Sequence, residues 1–377
     1  MNENREIGER VRDARRAMGL RQADISEMTS LPASHVSDIE RGSITPTIKT
    51  LQKISDALGR PLVYFLQSED EKPRSLGMVI NISSIGGQAA SKFAEIVEHK
   101  TCGEYKVRIY EHGMLGTAKE QIEGLAEGAI HIYIDELLAF EHLAELCGPV
   151  CLPYFFRDRE HYLAFLQSDI FNEHIYQCLL GKGIHLLEPI SNWGSNSFEM
   201  LLSREPIFSP HDLQGHKFRS YDSPAAINLR RALGAEPVVV EWANAPGAFK
   251  EGRIDTFLTP LIYLNALSPD KFAQNATLLD YGYALGLTIA VNEHAFCAMS
   301  PDLQTALVEA AQEAGAYCTP LIEEQTQFTL ERLPSEFGLP VIHPDQNAWR
   351  QRMDAVIRQI CEDGLLPNKI YNQIQSL

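Results

Sequence analysis

The chain changes character once, and that break limits what it can fold into. Residues 67–77, QSEDEKPRSLG, hold few apolar side chains, several charges, one proline and one glycine, the composition of an exposed connection. Before it, apolar residues recur only at helical spacing. After it, short apolar runs of strand length alternate with helical stretches. A chain of 377 residues is also too long for one ordinary domain. The break therefore predicts an all-α head over 1–66, a linker over 67–77 and a larger α/β body over 78–377.

Charge follows the same division. The whole chain carries a formal charge of −17, which by itself argues against a nucleic-acid partner. Residues 1–66, however, hold 10 Lys/Arg against 9 Asp/Glu, and the remainder 23 against 41. Phosphates repel so acidic a body, so any DNA contact belongs to the near-neutral head. The start, MNENREIGERVRD, is charged and lacks the apolar stretch of a secretory signal, and no run reaches the roughly 18 apolar residues that span a bilayer. These features predict a cytoplasmic protein with no membrane partner. The seven cysteines are scattered, and Cys147 and Cys151 have no matching second pair. The expectation is reduced thiols, no metal site and no cofactor.

In the head, Ile7, Val11, Ala14 and Met18 form one apolar stripe of a first helix, stopped by Gly19. A second helix, about Gln22 to Thr29, has Ala23, Ile25 and Met28 as inward candidates. Ser30-Leu31-Pro32 turns the chain into a third helix, Ala33 to Arg41, with Val36 and Ile39 inward and Gly42 as its end. A fourth carries Ile48, Leu51, Ile54 and Leu58 before Gly59, and Pro61 to Leu66 closes the bundle. Two short helices joined by such a turn are a helix-turn-helix, whose second helix enters the major groove.

The segment RQADISEMTSLPASHVSDIERGSITPTIKTLQKISDALG resembles the phage-repressor (XRE) family of helix-turn-helix regulators. The Gln22 helix start, Ser34, Ser37, the Ile39-Glu40-Arg41-Gly42 ending and Pro46 carry the likeness. Ser30 stands where the family usually has Gly, which requires a left-handed backbone there. The resemblance implies that Gln22 touches the phosphate backbone and that Ala33, Ser34, His35, Ser37 and Asp38 lie on the outward face of helix three. Short polar groups there reach base edges, and Ala33 suits a thymine methyl. Arg12, Arg16, Arg21 and Lys49 are candidate phosphate contacts. Arg12 and Arg16, four apart, serve equally well as a solvated face. Glu40 and Arg41 read better as ties between helices than as DNA contacts.

The body opens with a strand, Met78 to Ile82, a helical pattern from about Gln88, a strand from Tyr105 to Tyr110, a helix from about Thr117 to Glu127, and a strand from Ile130 to Ile134. This order predicts α/β structure with substantially parallel sheets, and it brings loops 81–87, 111–116 and 135–140 to one cleft at the strand ends.

From 78 to 377 the chain resembles the solute-binding proteins of tripartite ATP-independent periplasmic (TRAP) transporters. LGTAKEQIEGLAEGAIHI, GPVCLPYFFRDREH, DLQGHKFRSYDSP and LGAEPVVVEW…FKEGRIDTFLTP carry the likeness in order. The resemblance implies a two-lobed, periplasmic-binding-protein-like α/β fold with crossing segments and a long helix, for which 301–333 (Leu303, Leu307, Ala310, Ala314, Leu321) is suited. It implies that Arg219 pairs with a ligand carboxylate, chemistry for which a guanidinium fork is suited. Glu136 would accept hydroxyl or amine donors, or orient Arg219. Trp242 packs on the ligand or in the core. Thr259, Asn244, Tyr281, Asn81 and Trp193 complete the candidate pocket. A family Arg is replaced by Asn196 in Trp193-Gly194-Ser195-Asn196, so the site has one cation fewer, which favours a monoanion carrying polar groups over a dianion.

The reading that results is a ligand-responsive transcriptional regulator: a homodimer that binds a double-stranded DNA operator under control of a small organic acid. No G-x-S-x-G, H-E-x-x-H, P-loop or G-x-G-x-x-G after a strand is present, and His211 and His216 flank a loop without a third ligand. The expectation is therefore no catalytic residue and no enzyme. A cytosolic organic-acid-binding or transport-related protein without regulatory coupling is the alternative.

Overall fold

Apolar stripes assemble the head as a bundle of α1 (Glu3–Ala17), α2 (Gln22–Thr29), α3 (Ala33–Glu40), α4 (Ile48–Leu58) and α5 (Leu62–Leu66). The computed structural model describes residues 3–60, 62–66, 74–80, 85–111, 115–187, 193, 198–281, 286–336 and 338–377. Ile7, Val11, Ile25, Val36, Ile39, Leu51 and Ile54 have no exposed surface. Three expected inward positions differ. Met18 lies past the end of α1, where helical periodicity no longer orients it, and is 50% exposed. In the eight-residue α2, Ala23 and Met28 are exposed, and Ile25 and Thr29 are buried instead. Ser30 ends α2 with φ 57° and ψ 24°, the left-handed conformation its turn requires.

The body is a two-lobed α/β structure. In the first lobe, β1 (Arg74–Ile80), α6 (Ile85–Lys100), β2 (Tyr105–Glu111), α7 (Ala118–Ala126) and β3 (Ile132–Asp135) alternate, the helices connecting strands of a sheet in which β1 runs parallel to both neighbours. β1 takes in the last four residues of the expected linker. Leu76 is buried there and the strand pairs with β2 from Arg74 onward, so strand pairing outweighs local polarity. α7 is capped by Thr117, whose hydroxyl accepts from the Glu120 amide while the Glu120 carboxylate accepts from the Thr117 amide.

After β4 (Ile184–Leu186) the chain crosses to the second lobe. There β5 (Phe198–Ser203), β6 (Lys217–Ser220), β7 (Glu236–Val239), β8 (Thr256–Pro260) and β9 (Asn275–Asp280) are laid down. It returns through β10 (Thr288–Asn292), which lies antiparallel between β3 and β4, and ends the second sheet with β11 (Val341–Ile342). The sheet orders are β2-β1-β3-β10-β4 and β11-β9-β5-β8-β6-β7. The sheets are thus mixed: parallel where helices connect neighbouring strands, antiparallel where the chain passes between lobes.

A 36-residue helix, Pro301–Glu336, spans both lobes. Leu303, Leu307, Ala310 and Ala314 pack in the first-lobe core, and Leu333 packs in the second. Leu321 is only partly buried.

The head is packed against the first lobe. The Ile48 amide donates to the Leu115 carbonyl (3.1 Å). Lys49 pairs with Glu120 (3.1 Å), and Arg108 of β2 pairs with Glu6 of α1. Gly124 of α7 leaves room for Ile48, whose Cδ1 would lie 2.8 Å from a Cβ there. The fourth head helix therefore abuts the helix that leads into β3.

Candidate ligand-binding cleft and DNA-binding face

One edge of the second sheet gathers polar groups. β6 and β8 run parallel, so Arg219 and Thr259 come to the same edge. β5 is antiparallel to β8 and β9, with Glu199 opposite Pro260 and Leu279, which brings the start of β5 and the end of β9 to that edge too. The end of β3, Asp135-Glu136, supplies the facing groups from the first lobe.

Arg219 is the deepest cation of this cluster, 2% exposed. Its Nε donates to the Val240 carbonyl (2.8 Å), fixing the guanidinium. The guanidinium carbon lies 3.9 Å from the centre of the Tyr221 ring, the residue two further along the same strand direction. Glu136 and Glu199 keep partial solvent access, as cleft walls do. Burial, with Asp135 beside it, pushes the Glu136 carboxyl up to about 7, although Arg219 opposes the shift. Burial likewise holds the Tyr221 hydroxyl up at about 12 and pushes Tyr281 well up. Thr259 is fully buried, and its hydroxyl makes no hydrogen bond. Trp242 is partly buried, with its ring 5.7 Å from that of Tyr263 and 6.3 Å from Phe257, so it lies beside the core rather than within it. Tyr281 meets Tyr154 edge-on at 5.1 Å.

Other candidates fall elsewhere. Trp193 is a first-lobe core residue: it is fully buried, packs on Phe93, and donates its indole N–H to Ala311 of the long helix (3.1 Å). Its bulk and its single donor are both satisfied there, which leaves nothing to offer a ligand. Asn244 is exposed and lines a shallow depression with Glu241, Glu251 and Arg253. Asn81 and Asn196 lie outside the described residues, as does most of loops 81–87 and 111–116. Sequence reasoning missed Tyr221, although the two-residue strand period places it beside Arg219.

In the head, Ala33 and Ser34 are exposed, and His35, Ser37 and Asp38 are half-buried along α3. Asp38 is paired with Arg41. Glu40 ties the helices together: Arg15 donates Nε to Oε1 (2.5 Å) and Nη2 to Oε2 (2.8 Å), and Gln22 donates to Oε2 (2.8 Å). Gln22 is thus held by Glu40 at the start of α2. Arg12 is half-buried with an unpartnered Nε, Arg16 is exposed, and Arg21, at the start of α2, donates its amide N–H (2.6 Å) and its Nη2 (2.9 Å) to the Asp24 carboxylate. Lys49 is held by Glu120, although its side chain is 70% exposed. Among the described residues no group of His, Cys, Asp and Glu has a metal-holding arrangement, and no helix is long and apolar enough to cross a membrane.

Two α/β lobes joined by crossing segments and a spanning helix, with a polar cluster between them, define a two-lobed solute-binding fold. Residues 76–363 match the bacterial extracellular solute-binding proteins, family 7, and the chain belongs to that family. Residues 11–65 match a helix-turn-helix domain of the XRE type. The 2,3-diketo-L-gulonate-binding periplasmic protein YiaO of Escherichia coli is 28% identical over 273 residues, covering 72% of this chain and 81% of that protein. The C4-dicarboxylate-binding periplasmic protein DctP of Rhodobacter capsulatus is 26% identical, covering 73% and 82%. Among solved structures, a TRAP periplasmic solute-binding protein from Sulfurospirillum deleyianum with bound succinate superposes with a TM-score of 0.71 at 21% identity, over 81% of this chain and 99% of that one. One from Sulfitobacter with bound β-D-galacturonate also scores 0.71, at 19% identity, over 81% and 100%. At these identities the solved structures establish the fold alone.

Proposed function

We propose that this chain is a ligand-responsive DNA-binding regulator of the cytoplasm, in which the two-lobed body binds a small organic acid and the head binds duplex DNA. The observation that carries this reading is the packing of α4 against α7. The head is joined by Ile48, Lys49 and Glu6 to the lobe that presents Glu136 to the cleft. Arg219 is the carboxylate partner, with its Nη groups left to form a fork once Nε is held by Val240. Glu136, Thr259, Tyr281 and Trp242 line the rest of the site. Solute-binding relatives support binding without turnover.

In the head, α3 enters the major groove with Ala33, Ser34, His35, Ser37 and Asp38, and Arg16, Arg21 and Lys49 take phosphates. Lys49 has two rival partners, Glu120 of the body and a phosphate. A change in how the head sits on α7 therefore changes DNA affinity, as coupling requires. A homodimer places two heads on half-sites about one helical turn apart.

The test begins with a thermal-shift screen of organic acids, in which a ligand at 100 times its Kd stabilises by about 2.7 kcal/mol. DNA selected from a random pool is then titrated with and without that acid. Affinity that does not move with a bound acid sinks the coupling. An acid recovered chemically altered sinks the reading as a binding protein, and cell fractionation checks the location.

A further inference from the structure

The two lobes meet at a buried carboxylate. Glu141 is 6% exposed, and its Oε1 accepts the Ala225 amide N–H (3.0 Å). The bond crosses from one lobe to the other. Glu141 follows the short 3-10 turn Leu137–Phe140, which leaves β3, and the Phe140 ring packs edge-on against Tyr133 of that strand at 5.9 Å. Ala225 lies in the first turn of the helix Pro224–Ala232, which joins β6 to β7 of the second sheet.

Both sides are shaped for this contact. Pro224 has no N–H, Ala226 donates to the Ser223 hydroxyl (3.0 Å), and Ile227 donates to the Ser223 carbonyl (2.9 Å). Ala225 is thus the donor that the first turn leaves open, and it is fully buried. Without an acceptor it would carry the full cost of desolvation. On the other side, Gly148 makes room for the carboxylate, because a Cβ at that position would overlap it. That slot belongs to the first lobe's own segment and fixes the direction the side chain takes. Among the described residues, the second oxygen, Oε2, makes no hydrogen bond. A carboxylate buried in this way is costly for the lobe that carries it, and the amide of the other lobe offsets part of that cost.

The place of the contact gives it a role. Only the turn Leu137–Phe140 separates Glu141 from Glu136, and only Ser220 to Ser223 separate the helix from Arg219. We propose that Glu141 is a positioning residue that latches the lobes: by accepting the Ala225 amide it keeps the cleft closed over Arg219 without a ligand. Arg219, 2% exposed, meets solvent and solutes only when that bond opens. The consequence for organic acids rests on the reading of the cleft as their site. Entry of an acid then requires the latch to part, and closure over the bound acid remakes it.

Phenylglyoxal, which adds to accessible guanidinium groups, tests this on the full-length protein with no ligand present. Three arginines report, each read by tandem mass spectrometry. Arg219 lies in the cleft, Arg230 is 6% exposed and packed on Phe218 within the second lobe, and Arg231 beside it is exposed. In wild type Arg219 should react far more slowly than Arg231. Glu141→Ala removes a hydrogen bond to a charged acceptor, so it should raise the open population, and the Arg219 rate with it, by about tenfold. Arg230 should stay slow. Glu141→Gln keeps an acceptor oxygen and should stay near wild type. Gly148→Ala should expose Arg219 without touching Glu141, and adding it to Glu141→Ala should change nothing further. It also decides the matter should Glu141→Ala not fold. The latch is overturned if wild-type Arg219 reacts as fast as Arg231, if neither Glu141→Ala nor Gly148→Ala moves its rate, or if Glu141→Gln behaves as Glu141→Ala. A rise shared equally by Arg230 overturns it too, since that marks a fraying helix rather than parting lobes. Because no ligand takes part, a failed acid screen leaves the latch standing, and a failed latch leaves the acid site standing.

Discussion

Arg15 grips both oxygens of Glu40, and Gln22 donates to one of them, at the centre of the head. Burial pushes the Glu40 carboxyl up, but the bonds from Arg15 and Gln22 outweigh it and hold it below its ordinary 4.5. The network is therefore fully stabilising above that value and is lost as pH falls through the lowered one. Glu40→Ala leaves Arg15 buried and uncompensated, and should destabilise the head by about 3 kcal/mol in a chemical-denaturation series. Glu136 has the opposite sign. With its folded value at about 7 against an ordinary 4.5, it ionises first in the unfolded chain, so stability is lost as pH rises through about 7. Glu136→Gln should raise the Tm of the ligand-free protein at about pH 8 and leave it unchanged at about pH 4. Arg219, Glu136 and Thr259 were singled out through the resemblance to TRAP solute-binding proteins, and strand order brings Arg219 and Thr259 to one edge of the second sheet. The burial of Arg230 was not legible, because Arg230 and Arg231 look alike until tertiary packing buries one and exposes the other. Trp193 misled for a related reason: its motif marks a place in the chain, whereas packing against Phe93 and Ala311 decides its role.

At the scale of elements, strongly periodic stretches such as α1 and α4 follow from spacing alone, because several turns average out a single misplaced side chain, whereas the helix Pro301–Glu336 was expected over 301–333 from the family resemblance. The short α2 and the start of β1 do not, since contacts made by other parts of the chain settle them. Ser30 tests how much a turn constrains its residue. A non-glycine residue in the left-handed region is strained, so Ser30→Gly should stabilise the head by about 1 kcal/mol and Ser30→Val should destabilise it by more, read as shifts in the denaturation midpoint. The α1–β2 contact is open to a charge swap. Arg108→Glu sets two carboxylates against each other and should speed hydrogen exchange in α1 and α4. Combining it with Glu6→Arg should restore protection. If protection in α1 and α4 is the same in wild type and both variants, the seam does not hold the head.

At the scale of the whole molecule, the mixed sheets show a chain that visits the first lobe, builds the second, and comes back. The sequence shows the alternation of strand and helix but not this return, because β10 pairs with strands laid down far earlier and nothing local records its partners. The return also sets an order of events during synthesis. β3 is made at residues 132–135 and β4 at 184–186, yet the strand that separates them arrives only at 288–292. Until then both strands present unpaired backbone edges, the exposure that draws chains into aggregates. The head, made first and bundled by local contacts, can fold long before its partner lobe is finished. A chain ended before residue 287 should therefore release a folded head on an insoluble body, seen as helical, protease-resistant fragments recovered from the pellet. A ribosome that stalls within the second lobe would display a folded helix-turn-helix domain whose partner body does not yet exist.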